Sequence, residues 1–325
     1  MNRNEHDEIY HQLLSYVVPQ EENGWTLKTI LQRRLHISRK LLSRLKQSAE
    51  GILLNGKMMY VSDKAAAGDM VEISVPQEKS EDILPQDLPI NVIHEDEHLL
   101  IVNKPAGQIV HPTHGHYTHT LANAVVYYWQ SRGQSFRFRP VHRLDQDTSG
   151  VLIIAKNAYA HQYIAAQMIQ NTVEKQYIAF VYGIPAERIG RIDQPIDRNP
   201  ADPFLRMVMP NGYEAKTRYQ LMEPYKDASM IALWLETGRT HQIRVHMKHI
   251  GCPLIGDKLY VPEIQEQAAL KPEADTWIER QALHAAKLSF IHPGTQERIQ
   301  FTAEMPSDML RLEEVLRERS KKTKE

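Results

Sequence analysis

Three short segments of this 325-residue chain carry side chains able to do chemistry together. The first is VHRLDQDTSGVLIIAK. Asp145 lies in a loop just ahead of an apolar run, with Arg143 two residues upstream. Asp147, Thr148, Ser149 and Gly150 follow as a turn with local hydrogen-bonding demands. A carboxylate at the edge of a core with an arginine beside it stays ionised at neutral pH, and an ionised carboxylate serves as nucleophile or as base. Taken alone, D-x-D-T is a surface turn with a salt bridge. The second segment is EKQYIAFVYG. Strand alternation sets Tyr177, Ala179 and Val181 on one face and Gln176, Ile178 and Phe180 on the other. Tyr177 is suited to stacking on a planar ring or hydrogen-bonding a reacting group; as a lone tyrosine it is core or edge filler. The third is LETGRTHQIRVHMKHIGCPLIGDKLY. At helical spacing Ile243, Met247 and Ile250 form an apolar stripe, with His241, Arg244 and Lys248 on the opposite side. Arg239 sits in the turn before. Such bases can hold a carboxylate and phosphate oxygens together; by themselves they are a solvated face.

The histidine-rich stretches HPTHGHYTH (111–119) and HQIRVHMKH (241–249) invite a metal reading. A helical zinc pair needs i,i+4 spacing. His241, His246 and His249 stand at i, i+5 and i+8, spread around the helix, and the first cluster falls in a Pro/Gly loop. Polar loop contacts account for both, and no metal is expected. Cys252 is the only cysteine, which excludes a disulfide scaffold and CxxC metal sites.

These segments need elements to hold them. INVIHEDEHLLIVNKPAG reads as two strands around an acidic turn. A helix follows from His119 or Thr120 to Arg132, capped by Thr118 or Thr120. VLIIAK is a strand buried on both faces, and Asn157 caps a helix reaching Gln170. EKQYIAFVYG, EAKTRYQLM, SMIALWLET, LHAAKLSFI and RIQFTA are strands. Thr240 to Ile250 is a helix closed by Gly251, and Ser307 caps a final amphipathic helix over 307–320. Strands outnumber helices without regular βαβ alternation. That predicts an α+β fold on a mixed, largely antiparallel sheet.

Composition points to a soluble globular chain, with 42% hydrophobic and 24% charged residues. No apolar run reaches the ~18–20 residues of a membrane span. The start, MNRNEHDEIY, lacks a signal-peptide core, so a cytoplasmic protein is expected. The formal net charge of -1 argues against a nucleic-acid partner until it is divided. Residues 25–75 hold nine Lys or Arg against four acids, and Lys28 to Lys46 holds seven bases and no acid. Residues 76–100 hold seven acids and one lysine. The basic block contains two short helices, the second capped by Ser38 and carrying Arg39, Lys40, Arg44 and, at its end, Lys46. An Asn55-Gly56 hairpin and the strand MVEISV come next. A basic cluster of this kind suits phosphate contacts. The chain is expected to divide into a module at 13–76, a linker at 77–89 and a larger domain at 90–325.

ISRKLLSRLKQ and GILLNGKMMYVSDKAAAGDMVEI resemble the αL RNA-binding motif of a ribosomal small-subunit protein and of tyrosyl-tRNA synthetases. From about residue 90 to 305, HRLDQDTSG, KQYIAFVYG and TGRTHQIRVHMKHIGCPLIGDKLY resemble the RluA-type pseudouridine synthases, with NKPAGQIVHP upstream and LHAAKLSF downstream also matching. The resemblance implies an isomerase acting on a uridine in structured RNA, with large-subunit ribosomal RNA the expected target and tRNA the alternative. It implies Asp145 as the catalytic carboxylate, nucleophile or base. Tyr177 would stack on the target base, and Arg244 would pair with Asp145. Arg143 would fill the space left by an extruded nucleotide, since a stacked uridine is out of reach. Arg239, His241, Lys248, Arg39, Lys40 and Arg44 are expected to contact substrate. The reaction involves no redox change, so no cofactor, metal or small-molecule cosubstrate is expected, and a monomer is the default. Two other readings compete. A non-catalytic RNA chaperone would release no tritium from 5-tritiated uridine RNA. A histidine-based nuclease would cleave the chain and stop with chelator.

Overall fold

The computed structural model describes residues 10–263, 271, 273, 274 and 276–321. Strand β1 (Tyr10–Val17) pairs antiparallel with β4 (Met70–Pro76), which pairs on its other side with β2 (Ile52–Leu54), and β2 with β3 (Lys57–Met58). Helices α1 (Leu27–Arg33) and α2 (Arg39–Leu45) pack on this sheet through Leu27, Ile30, Leu31, Leu41, Leu42 and Leu45. Thr26 caps α1 and Ser38 caps α2, its hydroxyl accepting the Leu41 N–H at 3.1 Å. The β2–β3 turn has Asn55 at φ 52° and Gly56 at φ 73°, the two left-handed positions that an Asn-Gly hairpin supplies. Strand β1, without apolar alternation, escaped the sequence reading.

Residues 77–89 form no helix or strand, yet they are tied down along their length. Gln77 Nε2 donates to the Ser135 carbonyl at 2.6 Å, the Phe138 N–H donates to Ser80 Oγ at 2.8 Å, and Asn123 Nδ2 donates to the Leu84 carbonyl at 2.7 Å.

The larger sheet runs in the order β5 (Val92–Glu95), β6 (Leu99–Lys104), β7 (Ser149–Ala155), β14 (Leu283–Ile291), β8 (Glu174–Tyr182), β13 (Ala228–Leu235), β12 (Lys216–Pro224), β9 (Ile189–Asp193). β15 (Arg298–Thr302) pairs with the second part of β14. Pairing among the described residues is antiparallel except between β7 and β14. The α+β architecture expected from the sequence is therefore the one observed. β7 is buried at every position because α3 (Leu121–Gln130) covers Leu152 and Ile154 on one face. On the other, α4 (Ala158–Ile169) covers Val151 and Ile153. Likewise Tyr177, Ala179 and Val181 of β8 face the cluster containing α5 (Gln242–His249), and Phe180 and Tyr182 face α6 (Ser307–Lys321). The hairpin of β10 (Ile196–Asn199) and β11 (Asp202–Val208) stands apart as a second sheet. Sequence reading missed β9 to β11 because only Ile192 and Ile196 there are buried, too few to print a period.

The acidic turn between β5 and β6 is a polar knot. Asp96 Oδ1 accepts the His98 and Leu99 N–H groups at 2.7 and 2.8 Å. Its Oδ2 faces His94 Nε2 at 2.8 Å and His292 Nε2 at 3.0 Å. Burial opposes ionisation of Asp96, but the bonds from His292, His94 and the two N–H groups outweigh it and hold the carboxyl well below the usual carboxylate range. In the unfolded chain the same group titrates near ~4. Below that pH the unfolded state binds the extra proton first, so the stability contributed above pH ~4 is lost as pH falls. Denaturant melts between pH ~5 and ~2.5 should show a steeper acid loss for the parent than for Asp96→Asn. Parallel curves would assign the acid sensitivity elsewhere.

Candidate active site

Three adjacent strands build the floor. Gly150 of β7 lies beside Ala285 of β14, and Ala285 beside Tyr177 of β8. A Cβ on Gly150 would lie 2.2 Å from the Ala285 carbonyl oxygen, and its φ is 121°, so glycine is required where the loop enters β7. The loop ahead turns at Asp145, whose carbonyl accepts the Thr148 N–H at 3.1 Å. Two buried cations hold its backbone from outside. Lys104 Nζ donates to the carbonyls of Pro105, Gln108 and Gln146 at 2.7–2.9 Å. Arg280 Nη1 donates to the Asp147 carbonyl at 3.0 Å while its Nε and Nη2 grip Asp308. Burial lowers the Lys104 pKa to about 7, against the pull of Asp147 and Asp145. Ser149 Oγ meets His284 Nδ1 at 2.9 Å.

Asp145 is thereby presented partly exposed. Arg244 of α5 approaches its Oδ2 with Nη1 at 3.5 Å. The rest of the guanidinium is committed elsewhere: Nε and Nη2 donate to Asp257 at 2.6 and 2.8 Å. Asp257 is fully buried and also accepts the Leu259 and Tyr260 N–H groups. The Tyr260 ring lies 4.9 Å from the Arg244 guanidinium carbon. Its hydroxyl oxygen accepts the Arg206 N–H at 2.8 Å and contacts His241 Nδ1 at 2.8 Å. The other ring nitrogen of His241, Nε2, lies 3.9 Å from Asp145 Oδ2. Burial lowers the His241 pKa, opposed by Asp145 and assisted by Arg244. Tyr177 is buried, and burial together with the Asp145 charge raises its hydroxyl pKa. It is a neutral phenol, able to give or take a hydrogen bond but not to act as a standing phenolate.

The structure thus brings together Asp145, Tyr177, Arg244 and His241. Arg244 is 4% exposed, which corrects its placement on a solvated helix face. The reason is Asp257, whose buried carboxylate pairs with the guanidinium on the inner side. Arg143 is exposed at the loop start. Arg239 is exposed, its Nε donating to the Glu214 carbonyl at 3.0 Å. Lys248 points to Glu263 at 2.8 Å rather than to Asp145. Arg39, Lys40 and Arg44 are exposed on α2, in the N-terminal module. His246 is spent on Thr217 Oγ1 and the Gln194 carbonyl. Among the described residues no group of three or more His, Cys, Asp or Glu is arranged to hold a metal.

Sequence reading missed Asp257, Tyr260, Lys104 and Arg280. Asp257 follows Gly256, which has φ 73°, inside an apolar run; a lone acid there was the available signal. Lys104 ends the apolar strand LLIVNK in the same way. Nothing near Arg280 marks it.

Residues 98–249 match the family described as RNA pseudouridylate synthase. An uncharacterized RNA pseudouridine synthase of Bacillus subtilis (strain 168), YlyB, is 40% identical over 269 residues, covering 82% of this chain and 86% of the relative. A protein named ribosomal large subunit pseudouridine synthase D, from Zymomonas mobilis, is 40% identical over 300 residues, covering 89% of this chain and 93% of the relative. Among solved structures, human RNA pseudouridylate synthase domain containing 4 superposes with a TM-score of 0.57 at 21% identity, over 70% of this chain and 93% of that one, a likeness of fold.

Proposed function

From the premise that this chain belongs to the RluA-type RNA pseudouridine synthases, we propose that Asp145 carries the isomerisation and that the target uridine lies in large-subunit ribosomal RNA. The reaction breaks the N1–C1′ bond, turns the base and joins C5 to C1′; the C5 proton leaves and N1 gains one. Only a positioned carboxylate and proton traffic are needed. One observation carries the assignment of Asp145. Arg244 gives two of its nitrogens to Asp257 and offers the third to Asp145, which stays open to solvent. A purely structural salt bridge would close around both carboxylate oxygens. This arrangement sets a positive charge beside Asp145 and aligns it while leaving it free to reach a ribose or a base.

Tyr177 forms the floor beneath, as a ring to stack on and a neutral hydroxyl for the proton transfer. Arg143, exposed at the loop, fills the space of the extruded nucleotide. Arg239, His241 and Lys248 around α5, with Arg39, Lys40 and Arg44 on α2, meet phosphates. Relatives named ribosomal large subunit pseudouridine synthase D, at 40% and 38% identity over 89% and 95% of this chain, support the ribosomal target. Pseudouridine maps of total RNA from cells with and without the gene test this. Losses are expected in large-subunit ribosomal RNA. Losses confined to tRNA would overturn the target, and unchanged maps would overturn the proposal entirely.

A further inference from the structure

Helix α4 touches the N-terminal module in an unusual way. The side-chain amide of Gln162 spans the turn between α1 and α2: its Oε1 accepts the Ser38 N–H at 2.9 Å, and its Nε2 donates to the His36 carbonyl at 2.8 Å. Both groups are backbone, so the amide reads the shape of the turn and not its side chains. His36 sits there at φ 52°, and its ring packs edgewise on Tyr163 at 5.9 Å. Ser38 is also the cap of α2. Beside the clamp, Tyr159 is 1% exposed and belongs to the core of the N-terminal module, although it comes from the larger domain. On their far side the two tyrosines are anchored to the β14–β15 turn, Tyr159 to the Pro293 carbonyl at 3.3 Å and Tyr163 to Gln296 Oε1 at 2.6 Å.

A second fastening lies at the other end of α2. Glu78 of the linker is shared between Arg44 of α2 and Arg139. Arg139 opens the segment that runs beside β7, its carbonyl accepting the Ala155 N–H at 2.8 Å, and that segment leads six residues later to Asp145. The basic helix is therefore tied to the catalytic loop by a short, ordered path.

We propose that the Gln162 clamp locks the N-terminal module at a fixed distance and angle from Asp145, so that the enzyme selects its uridine by spacing from an RNA segment held on α2. Gln162 is a positioning residue for specificity and takes no part in the chemistry. The inference rests on the reading that α2 binds RNA and Asp145 isomerises. Two rigidly joined sites bind one RNA more tightly than a loosely tethered pair only when the RNA presents both at the matching separation.

The test compares two substrates: a long large-subunit ribosomal RNA transcript, and a stem-loop cut down to the uridine identified by mapping. The full chain is compared with Gln162→Ala and Gln162→Glu; the latter keeps an acceptor for Ser38 and loses the donor to His36. On the long RNA, Gln162→Ala should raise KM about tenfold at unchanged kcat, and pseudouridine should spread to neighbouring uridines. Gln162→Glu should fall between. On the stem-loop all three should match, which also reports an intact catalytic domain. If the parent itself has the same KM on both RNAs, α2 does not bind the RNA and the underlying reading fails. If the parent discriminates but Gln162→Ala keeps its KM and its single site on the long RNA, the clamp alone is overturned. A loss on the stem-loop as well would assign Gln162 a structural role and overturn it too.

Discussion

Asp145→Asn should abolish isomerisation while leaving RNA binding and folding in place. Asparagine has the shape of aspartate but neither its charge nor a basic oxygen pair. Nothing structural should collapse, because Arg244 stays held by Asp257 at 2.6 and 2.8 Å and the loop carbonyls stay held by Lys104 and Arg280. The loss is therefore chemical, and removal of a covalent or base catalyst of this kind lowers kcat by roughly 10⁴-fold or more. Tritium release from 5-tritiated uridine RNA reads the turnover, and a filter-binding isotherm with its salt dependence reads the affinity. Turnover within tenfold of the parent would remove Asp145 from the chemistry. A variant with no turnover and no binding would instead assign Asp145 to substrate capture.

The second large effect falls on Arg244. Its guanidinium and the Asp257 carboxylate are both buried, at 4% and 2% exposure. Replacing Arg244 by Met leaves Asp257 with only the Leu259 and Tyr260 N–H groups. Breaking a buried pair from one side costs about 3–5 kcal/mol, and at ~2–4 °C per kcal/mol Tm should fall by roughly 10 °C. Arg244→Lys separates stability from function. A lysine keeps the positive charge near Asp257, so much of the stability should survive. One ammonium on a flexible stem cannot hold Asp257 bidentately and face Asp145 at the same time. Activity should therefore fall by about 10²-fold with a smaller change in Tm. An Arg244→Lys enzyme with parental kcat would show that Asp145 needs only a nearby charge and no fixed geometry.

What could be read in the sequence follows the strength of local signals. Asn55-Gly56, the Ser38 and Asn157 caps and the apolar VLIIA run of β7 each express their geometry within a few residues, and the structure shows the elements they predict. Asp145, Tyr177 and Arg244 stood out because motifs of fixed order surround them. The burial of Arg244 did not, because helical periodicity sees one helix at a time and Asp257 lies outside it. Lys104 and Arg280 act on backbone carbonyls about 40 and 130 residues away, and no spacing rule reaches that far. Strands β9 to β11 were silent because a mostly exposed edge strand and an exposed hairpin need no apolar alternation.

The position of β14 sets the order in which the active site can be made. This strand, residues 283–291, lies between β7 and β8, although both precede it in the chain by more than a hundred residues. The entry of the Asp145 loop into β7 rests on Ala285 and His284, and its turn on Arg280. Until that late segment has left the ribosome, β7 and β8 have an empty slot between them and Asp145 has no floor. Non-local pairings of this kind form slowly, since a long loop must close before any contact rewards it. A nascent chain of this enzyme, growing beside the very class of RNA it is proposed to modify, therefore stays chemically silent until β14 has emerged.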